Sequence, residues 1–469
     1  MLNAADTTFA DRLRDAGINI RAATPAYLEE PRGKFTGQSS FVALPQTTDD
    51  VARVVRLCRE ARVGLIPYGG GTGLVAGQVA PDGPAPLILS LEKLNRIRAV
   101  HPLENTLVAE AGVTLSQLHA AAETANRLFP LSYASKDSAR IGGALSVNSG
   151  GLNVLRYGSA RDLCLGIEAV LPNGEVLHGL KRLRKDNTGY DLRNLLIGAE
   201  GTLGIITAAS LKLYPRPAET ATAFIAVDSP EAALALLSLF QDRTGGAISA
   251  FELISGQSFA FLRDTCPDTR LPFETDPDWA VLIELGTGPD TDPATQIADA
   301  FEIALDKGLA SDARLAQSGQ QQAEFWAVRE NIPEANSRIG AIASHDIALP
   351  LGEIPAFLQE ADQKVRALFP MRINAFGHLG DGNLHYNVFP PQGEAKDAYK
   401  DRAAEATRLI HDLVVARGGT FSAEHGVGRA KVADLARYGD PTKLAIMRTI
   451  KLALDPVGIM NPGAVLPEE

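Results

Sequence analysis

The chain has 469 residues, more than one ordinary domain holds, and this length suggests two or three domains with ample core. Apolar residues make up 45% and charged residues 22%, which excludes a disordered or fibrous protein. Lys and Arg total 45 against 56 Asp and Glu, and the net charge of -11 opposes a phosphate backbone, so nucleic acid is excluded as a partner.

The N-terminal stretch MLNAADTTFADRLRDAG carries acids early and lacks a continuous apolar core, so it does not read as a signal peptide. No run approaches the roughly 20 apolar residues of a membrane span. Cys58, Cys164 and Cys266 are few, scattered and odd in number, which argues against a disulfide framework and for a reducing compartment; a cytoplasmic location is expected.

From about residue 40 to 215, short apolar runs alternate with glycine-rich turns. VGLIPY, PLILSL, LVAEAGV, GIEAVLPNGEVL and GIITAASLKLYP read as strands, and residues 49 to 62 and 116 to 128 as helices. Thr47 and Asp50 form a capping-box pattern ahead of the first helix, whose apolar face carries Val51, Val54, Val55 and Cys58. The loop PYGGGTGLVAGQ, residues 67 to 78, offers successive amides with no Cβ to block a phosphate. Gly71-Thr72-Gly73 and Glu92 imitate a dinucleotide fingerprint, but LVAGQVAPDGPAP contains three prolines and two glycines and cannot form the crossover helix that fingerprint needs. Two further glycine loops follow, IGGALSVNSGGLNVLRYGSARD over 141 to 162 and GAEGTLGIIT over 198 to 207. Each alone reads as a tight turn between strands; together they are suited to one long diphosphate cofactor.

Near Pro215 and Pro217 the texture changes, and a second domain is expected to begin. Its strands include ATAFIAV and WAVLIEL, separated by the alanine-rich helices EAALALLSLF and ATQIADAFEIAL. A helix around AEFWAVREN is expected to stop at Pro333, and others to cover 355 to 368 and EATRLIHDLVVAR, the latter ending at Gly418-Gly419. Between them lies FGHLGDGNLHYNV, Phe376 to Val388. His378 and His385 are an odd number of residues apart and would face opposite sides of one strand, but Gly380-Asp381-Gly382-Asn383 supplies a reversal, so the two imidazoles can meet across a hairpin. Downstream, SAEHGVG contributes Glu424 and His425. Two histidines and a carboxylate suit a catalytic divalent cation; the bland alternative is a hairpin whose histidines bond to backbone.

PYGGGTGL, GGALSVNSGG, GAEGTLGIIT, FGHLGDGNLH, SAEHGVG and the terminal NPG, in this order over about residues 35 to 465, resemble the FAD-dependent vanillyl-alcohol-oxidase superfamily. Within it they are similar to the D-2-hydroxyacid dehydrogenase branch, which holds D-2-hydroxyglutarate, D-lactate and glycolate dehydrogenases. The fold implied is α+β: an FAD-binding domain of two subdomains (1–217), a substrate and metal domain with a mainly antiparallel sheet and flanking helices (218–425), and a C-terminal segment returning to the FAD domain (426–469).

By this resemblance Pro67, Gly69, Gly70, Gly71, Thr72 and Gly73 hold FAD, with Gly142, Gly143, Asn148, Gly150, Gly151 and Gly201. Ile205 meets the adenosine side and Asn461 lies near the isoalloxazine. The FAD is expected to be noncovalent, because PYGGGTG has no histidine where some members attach it; His101 and His119 stay open as attachment points.

The activity implied is oxidation of a D-2-hydroxy acid to the 2-oxo acid. The hydroxyl of an alcohol is a weak acid, and a coordinated cation lowers its pKa while fixing Cα for hydride transfer. His378, His385 and Glu424 are the expected ligands, for zinc, or else manganese or iron. Adjacent residues of an extended chain point apart, which leaves His425 free of the ion as general base. Asn387, next but one to His385, faces the same way toward substrate, and Arg329 in FWAVREN matches a family arginine that faces the substrate carboxylate. D-2-hydroxyglutarate is slightly preferred over D-lactate or glycolate. Against it, the family pattern commonly has a lysine where this chain has Ser344, two residues before Asp346, and His345 or Arg372 is the substitute cation. The partners expected are a small 2-hydroxy acid and an electron acceptor such as an electron-transfer flavoprotein or a partner subunit, and a homodimer is allowed. A metal-dependent hydrolase whose glycine loops are only turns, and a noncatalytic flavoprotein subunit, are the rival readings.

Overall fold

In the computed structural model, which describes residues 1–467, the alternating apolar runs and glycine turns resolve into sheets with helices packed on them. Thr47 and Asp50 close the reciprocal cap on helix Thr48–Ala61, and its Val51, Val54, Val55 and Cys58 are fully buried. That helix belongs to a compact unit formed by Met1–Gly151, Gly158–Arg216 and Glu424–Glu469.

This first unit holds two larger sheets. One has four strands in the order Ile20–Ala22, Phe41–Ala43, Leu87–Ser90, Leu65–Tyr68, with parallel pairing between the last three. The parallel neighbours Leu65–Tyr68 and Leu87–Ser90 are joined without a helix, as the prolines between them require. The other is antiparallel and five-stranded: Ile97–His101, Thr106–Glu110, Ile205–Lys212, Cys164–Val170, Val176–Gly179. The chain's last segment rejoins the first sheet, where Leu65 bridges Met460 in parallel.

The second unit comprises Leu152–Tyr157 and Pro217–Ala423. Its core is one antiparallel sheet of seven strands, ordered Asp312–Leu315, Glu219–Val227, Trp279–Thr287, Ile248–Ser255, Arg372–His378, Asn383–Phe389, Ala343–Ala348. Helices cover both faces, which is why strands such as ATAFIAV read as unbroken apolar runs. On one face Phe251, Ile283 and Tyr386 pack with Leu236, Phe240, Ile297, Phe357 and Ile410 from four helices. On the other, Phe224, Ile254, Leu282 and Phe376 pack with Phe259, Phe261, Val328 and Ile332 from helices Gly256–Thr265 and Gly319–Ile339.

Two expectations are corrected. The helix expected to stop at Pro333 runs through it, from Gly319 to Ile339. Pro333 is exposed, and Val328, Ile332, Ala335 and Asn336 on either side of it are buried, so packing outweighs the missing N–H. The second glycine loop, read from sequence as a tight turn between strands, opens with a helix, Ile141–Val147. Its first turn is tied by Ile141 N–H to Val113 O and Gly142 N–H to Ala111 O, and Asn148 ends it in the left-handed region at φ 55°. No helix among the described residues is long and apolar enough to cross a membrane.

Candidate functional site

Strand Leu65–Tyr68 delivers the chain into Gly69–Gly73, and the neighbours of these glycines explain the absence of side chains. A Cβ on Gly70 would lie 2.0 Å from Ser138 O, and one on Gly69 3.5 Å from Gly143 Cα. A Cβ on Gly143 would meet nothing within 4 Å, so the first two glycine loops meet backbone to backbone beside open room. Among the described residues, the N–H groups of Gly69 to Gly73 donate to no backbone acceptor. Thr72 is half-buried in the same loop. This cradle fits a diphosphate.

The third loop joins the same cluster. Gly201, at φ 71°, would place a Cβ 2.3 Å from Pro67 Cγ, so only glycine lets GAEG lie against the strand feeding the first loop. Ile205 is buried at the start of the strand that follows, opposite Val170. Asn148 spends its carbonyl on Ser159 Oγ and Arg161 N, both at 2.9 Å. Gly151 packs against Ser132 O, and Gly150 lies half-buried before it. Asn461, expected beside the flavin ring, uses its amide on the loops themselves: Nδ2 donates to Gly77 O at 3.0 Å and Glu200 O at 2.8 Å, and Oδ1 accepts from Arg429 at 2.9 Å.

Glu200 went unnoticed in the sequence although it sits inside GAEG. Its Oε1 accepts from Val427 N at 2.7 Å and its Oε2 from Gly428 N at 2.8 Å, with burial raising its pKa. A Cβ on Gly426 would lie 2.8 Å from Glu200 Oε1 and one on Gly428 2.0 Å from Val75 O, so SAEHGVG needs both glycines to seat there. Arg429 completes the anchor through Ala76 O, Gly77 O and Pro462 O, and burial lowers its pKa to about 10. Glu424 and His425 therefore stand on a fixed loop. Their side chains do not point apart as an extended chain would make them, because the segment bends: His425 Nε2 is 3.4 Å from Glu424 Oε1. Half-buried Tyr133, another residue the motifs did not mark, is pushed up to about 12 by desolvation of its hydroxyl, and the Glu424 carboxylate adds to that rise.

In the second unit the histidine hairpin forms as expected. Arg372–His378 and Asn383–Phe389 pair antiparallel with Phe376 opposite His385; Gly382 turns the chain at φ 85°, and Asp381 Oδ1 accepts from Asn383 N at 3.1 Å. The rings of His378 and His385 stand 5.7 Å apart between centroids, edge to face. Strand Ile248–Ser255 places Glu252 opposite His378, and its Oε1 accepts from His378 Nδ1 at 2.7 Å. Its Oε2 accepts from Arg329 Nε, also at 2.7 Å, and the Arg329 guanidinium lies 4.8 Å from the centre of the Phe376 ring. Burial would raise the Glu252 carboxyl, but His378 and Arg329 hold it at about 2. Asn387 faces the same side of the sheet as His385, with its Nδ2 on His385 O at 3.2 Å.

Neither substitute cation reaches this face near the histidines. His345 pairs with Tyr386 and turns to the opposite side, where its Nδ1 meets Tyr386 O at 2.8 Å and its ring packs on His411. Arg372 shares the site's face but lies six residues along the strand from His378, roughly 20 Å at strand rise. Ser344, paired with Asn387, does face the site.

Glu424 is bonded to Ala423, whose N–H donates to Asp346 O, and Asp346 is the cross-strand neighbour of His385. Ligand-type atoms of His378, His385 and Glu424 come within 4.8 Å of one another. Two imidazoles and one carboxylate at that spacing fit a divalent cation.

A glycine cradle for a diphosphate and a separate antiparallel sheet with ionisable groups on one face define a flavin-binding oxidoreductase. Residues 39–179 match the FAD binding domain family, and residues 216–465 match the C-terminal domain of FAD linked oxidases. The chain belongs to the FAD-linked oxidases. It is 36% identical over 436 residues to the mitochondrial D-2-hydroxyglutarate dehydrogenase of Arabidopsis thaliana, covering 92% of this chain and 76% of that one. It is 34% identical over 441 residues to the D-2-hydroxyglutarate dehydrogenase of Stutzerimonas stutzeri, covering 94% of each. Among solved structures, p-cresol methylhydroxylase with substrate bound superposes at a TM-score of 0.75 and 17% identity over 99% of this chain and 98% of that one. A 4-ethylphenol oxidase from Gulosibacter chungangensis gives 0.74 at 20% identity over 100% and 99%. These two share the fold. The family resemblance carried by the motifs therefore holds.

Proposed function

We propose that the chain oxidises D-2-hydroxyglutarate to the 2-oxo acid. The observation that carries this reading is identity above 30%, across nearly the whole chain, to relatives named for that activity. FAD, held by the three glycine loops, supplies a hydride acceptor when bound. A divalent cation, which we take to be zinc, supplies Lewis acidity toward the substrate hydroxyl when held by His378, His385 and Glu424.

The chain's own residues do the rest. Arg329 offers its guanidinium to a substrate carboxylate, and Asn387 orients the substrate from the same face. His425 takes the hydroxyl proton at its imidazole, whose Nε2 lies 3.4 Å from Glu424 Oε1. FAD is noncovalent in this reading: Gly69–Gly73 has no histidine, His119 is bonded to Leu131 O, and His101 pairs with Arg182. Cys58, Cys164 and Cys266 are all free thiols, which suits a reducing compartment such as the cytoplasm. A soluble electron-transfer flavoprotein or a partner subunit serves as acceptor. The hydrolase alternative loses its ground, since the glycine loops lie in a chain of FAD-linked oxidases.

Anaerobic mixing with D-2-hydroxyglutarate, D-lactate, D-malate and glycolate, while following flavin absorbance, tests the proposal. D-2-hydroxyglutarate is expected to bleach the flavin fastest. If another of the four outruns it the substrate is wrong, and if none bleaches it the noncatalytic reading replaces this one.

A further inference from the structure

Glu252 lies in the strand sequence AFELIS, flanked by fully buried Phe251 and Leu253, and is itself 1% exposed. An ionised carboxylate in such surroundings is costly unless both oxygens are partnered. One oxygen is bonded to the imidazole of His378 and the other to the guanidinium of Arg329. These are the residues the proposed function uses for the cation and for the substrate carboxylate.

We infer that Glu252 is a positioning residue that sets the tautomer of His378 and the aim of Arg329 with one side chain, so cation binding and substrate recognition share a support. The inference rests on the proposed function. A carboxylate only accepts, so Nδ1 of His378 must carry hydrogen, and the lone pair is left on Nε2, the atom available to a cation. Contact through Nε fixes the plane of the Arg329 guanidinium and leaves a different edge, with its two Nη groups, for a second carboxylate. A glutamine cannot serve both partners. With its oxygen toward Arg329, its NH2 faces His378 and calls for the other tautomer, with hydrogen on Nε2; with its oxygen toward His378, two donors meet at Arg329.

The test uses full-length, FAD-loaded protein stripped of metal. Zinc affinity is measured by competition with a chromogenic chelator, without substrate, for wild type, Glu252→Gln and Glu252→Asp. The expected loss is about 10- to 100-fold for the glutamine variant and less for aspartate, which keeps charge and both acceptors. With zinc saturating, the KM for D-2-hydroxyglutarate should rise more than kcat falls in Glu252→Gln. A drop in melting temperature with zinc affinity and KM unchanged would reduce Glu252 to a structural role and overturn the inference. Should the variants not fold, long-range 1H–15N spectra of metal-free wild type decide: hydrogen on Nδ1 of His378 supports the inference, hydrogen on Nε2 defeats it. Wild type that binds zinc and bleaches with substrate while the variants match it sinks only this inference. Wild type that binds no zinc removes the proposed cation site and the inference with it.

Discussion

His425 is the residue on which the proposed proton transfer turns, and its environment separates a catalytic from a structural role. The loop holding it is fixed through Glu200 to the N–H groups of Val427 and Gly428 and through Arg429 to the carbonyls of Ala76 and Gly77. Replacing it should therefore spare the fold. His425→Asn is expected to lower kcat by about 100- to 10,000-fold, the span of general-base contributions, with flavin content and melting temperature close to wild type. Retention of more than a tenth of wild-type turnover would remove His425 from the role. The proximity of His378, His385 and Glu424 was legible beforehand, because the three sit in short motifs on either side of a recognisable turn. Glu252 was not: it lies 126 positions from His378, in an apolar strand, and only the strand order Ile248–Ser255 beside Arg372–His378 makes the two neighbours. The pointing-apart argument for Glu424 and His425 failed because it assumed an extended backbone where Ala423, Glu424 and His425 form a bend, with Gly426 following at φ 81°.

At the scale of elements, helix Gly319–Ile339 carries both Arg329 and a proline that a sequence rule treats as a stop. Pro333 has no N–H for the carbonyl of Arg329 four residues earlier, and its ring crowds that turn. Pro333→Ala should restore the bond on an exposed surface and stabilise the protein by roughly 1–3 kcal/mol, seen as a higher melting temperature. An unchanged or lower value would mean that the proline's shape is needed in the native helix. Strands were easier to read than the glycine-rich helix Ile141–Val147. Runs such as ATAFIAV and GIITAASLKLYP announce themselves by composition, whereas Ile141–Val147 contains two adjacent glycines of poor helix propensity and is held by bonds to Val113 and Ala111 that no local pattern reveals. Gly142 is itself a contact residue there, since a Cβ would fall 2.6 Å from that of Ala111.

At the scale of the molecule, acidity bears on stability through a chain of charges in the five-stranded sheet: Arg96 and Arg98 on Glu110, and Arg98 again on Glu168. Burial would raise both carboxyls, but the arginines outweigh it and hold them below the ordinary carboxylate range. A carboxyl with a depressed folded pKa stabilises the native state above its unfolded pKa, about 4.3 for glutamate, and that contribution fades as pH falls further. Glu110→Gln should thus melt below wild type at pH 7, with the gap narrowing as the buffer is taken down through pH 4. A gap independent of pH would assign the loss to packing.

One feature of chain order bears on how the protein is made. Leu65, which leads into the first glycine loop, is bridged by Met460 and accepts from the N–H of Asn461, so the cradle is closed by residues translated long after it. At roughly 5–20 residues per second, some 20–80 s separate the two partners on the ribosome. The seven-stranded sheet, whose strands run from Glu219 to Phe389, is fully synthesised before that. Nascent chains thus carry all seven strands of that sheet while the glycine cradle still awaits the segment that bridges Leu65, which makes the amino-terminal third the part that most needs shielding during biogenesis.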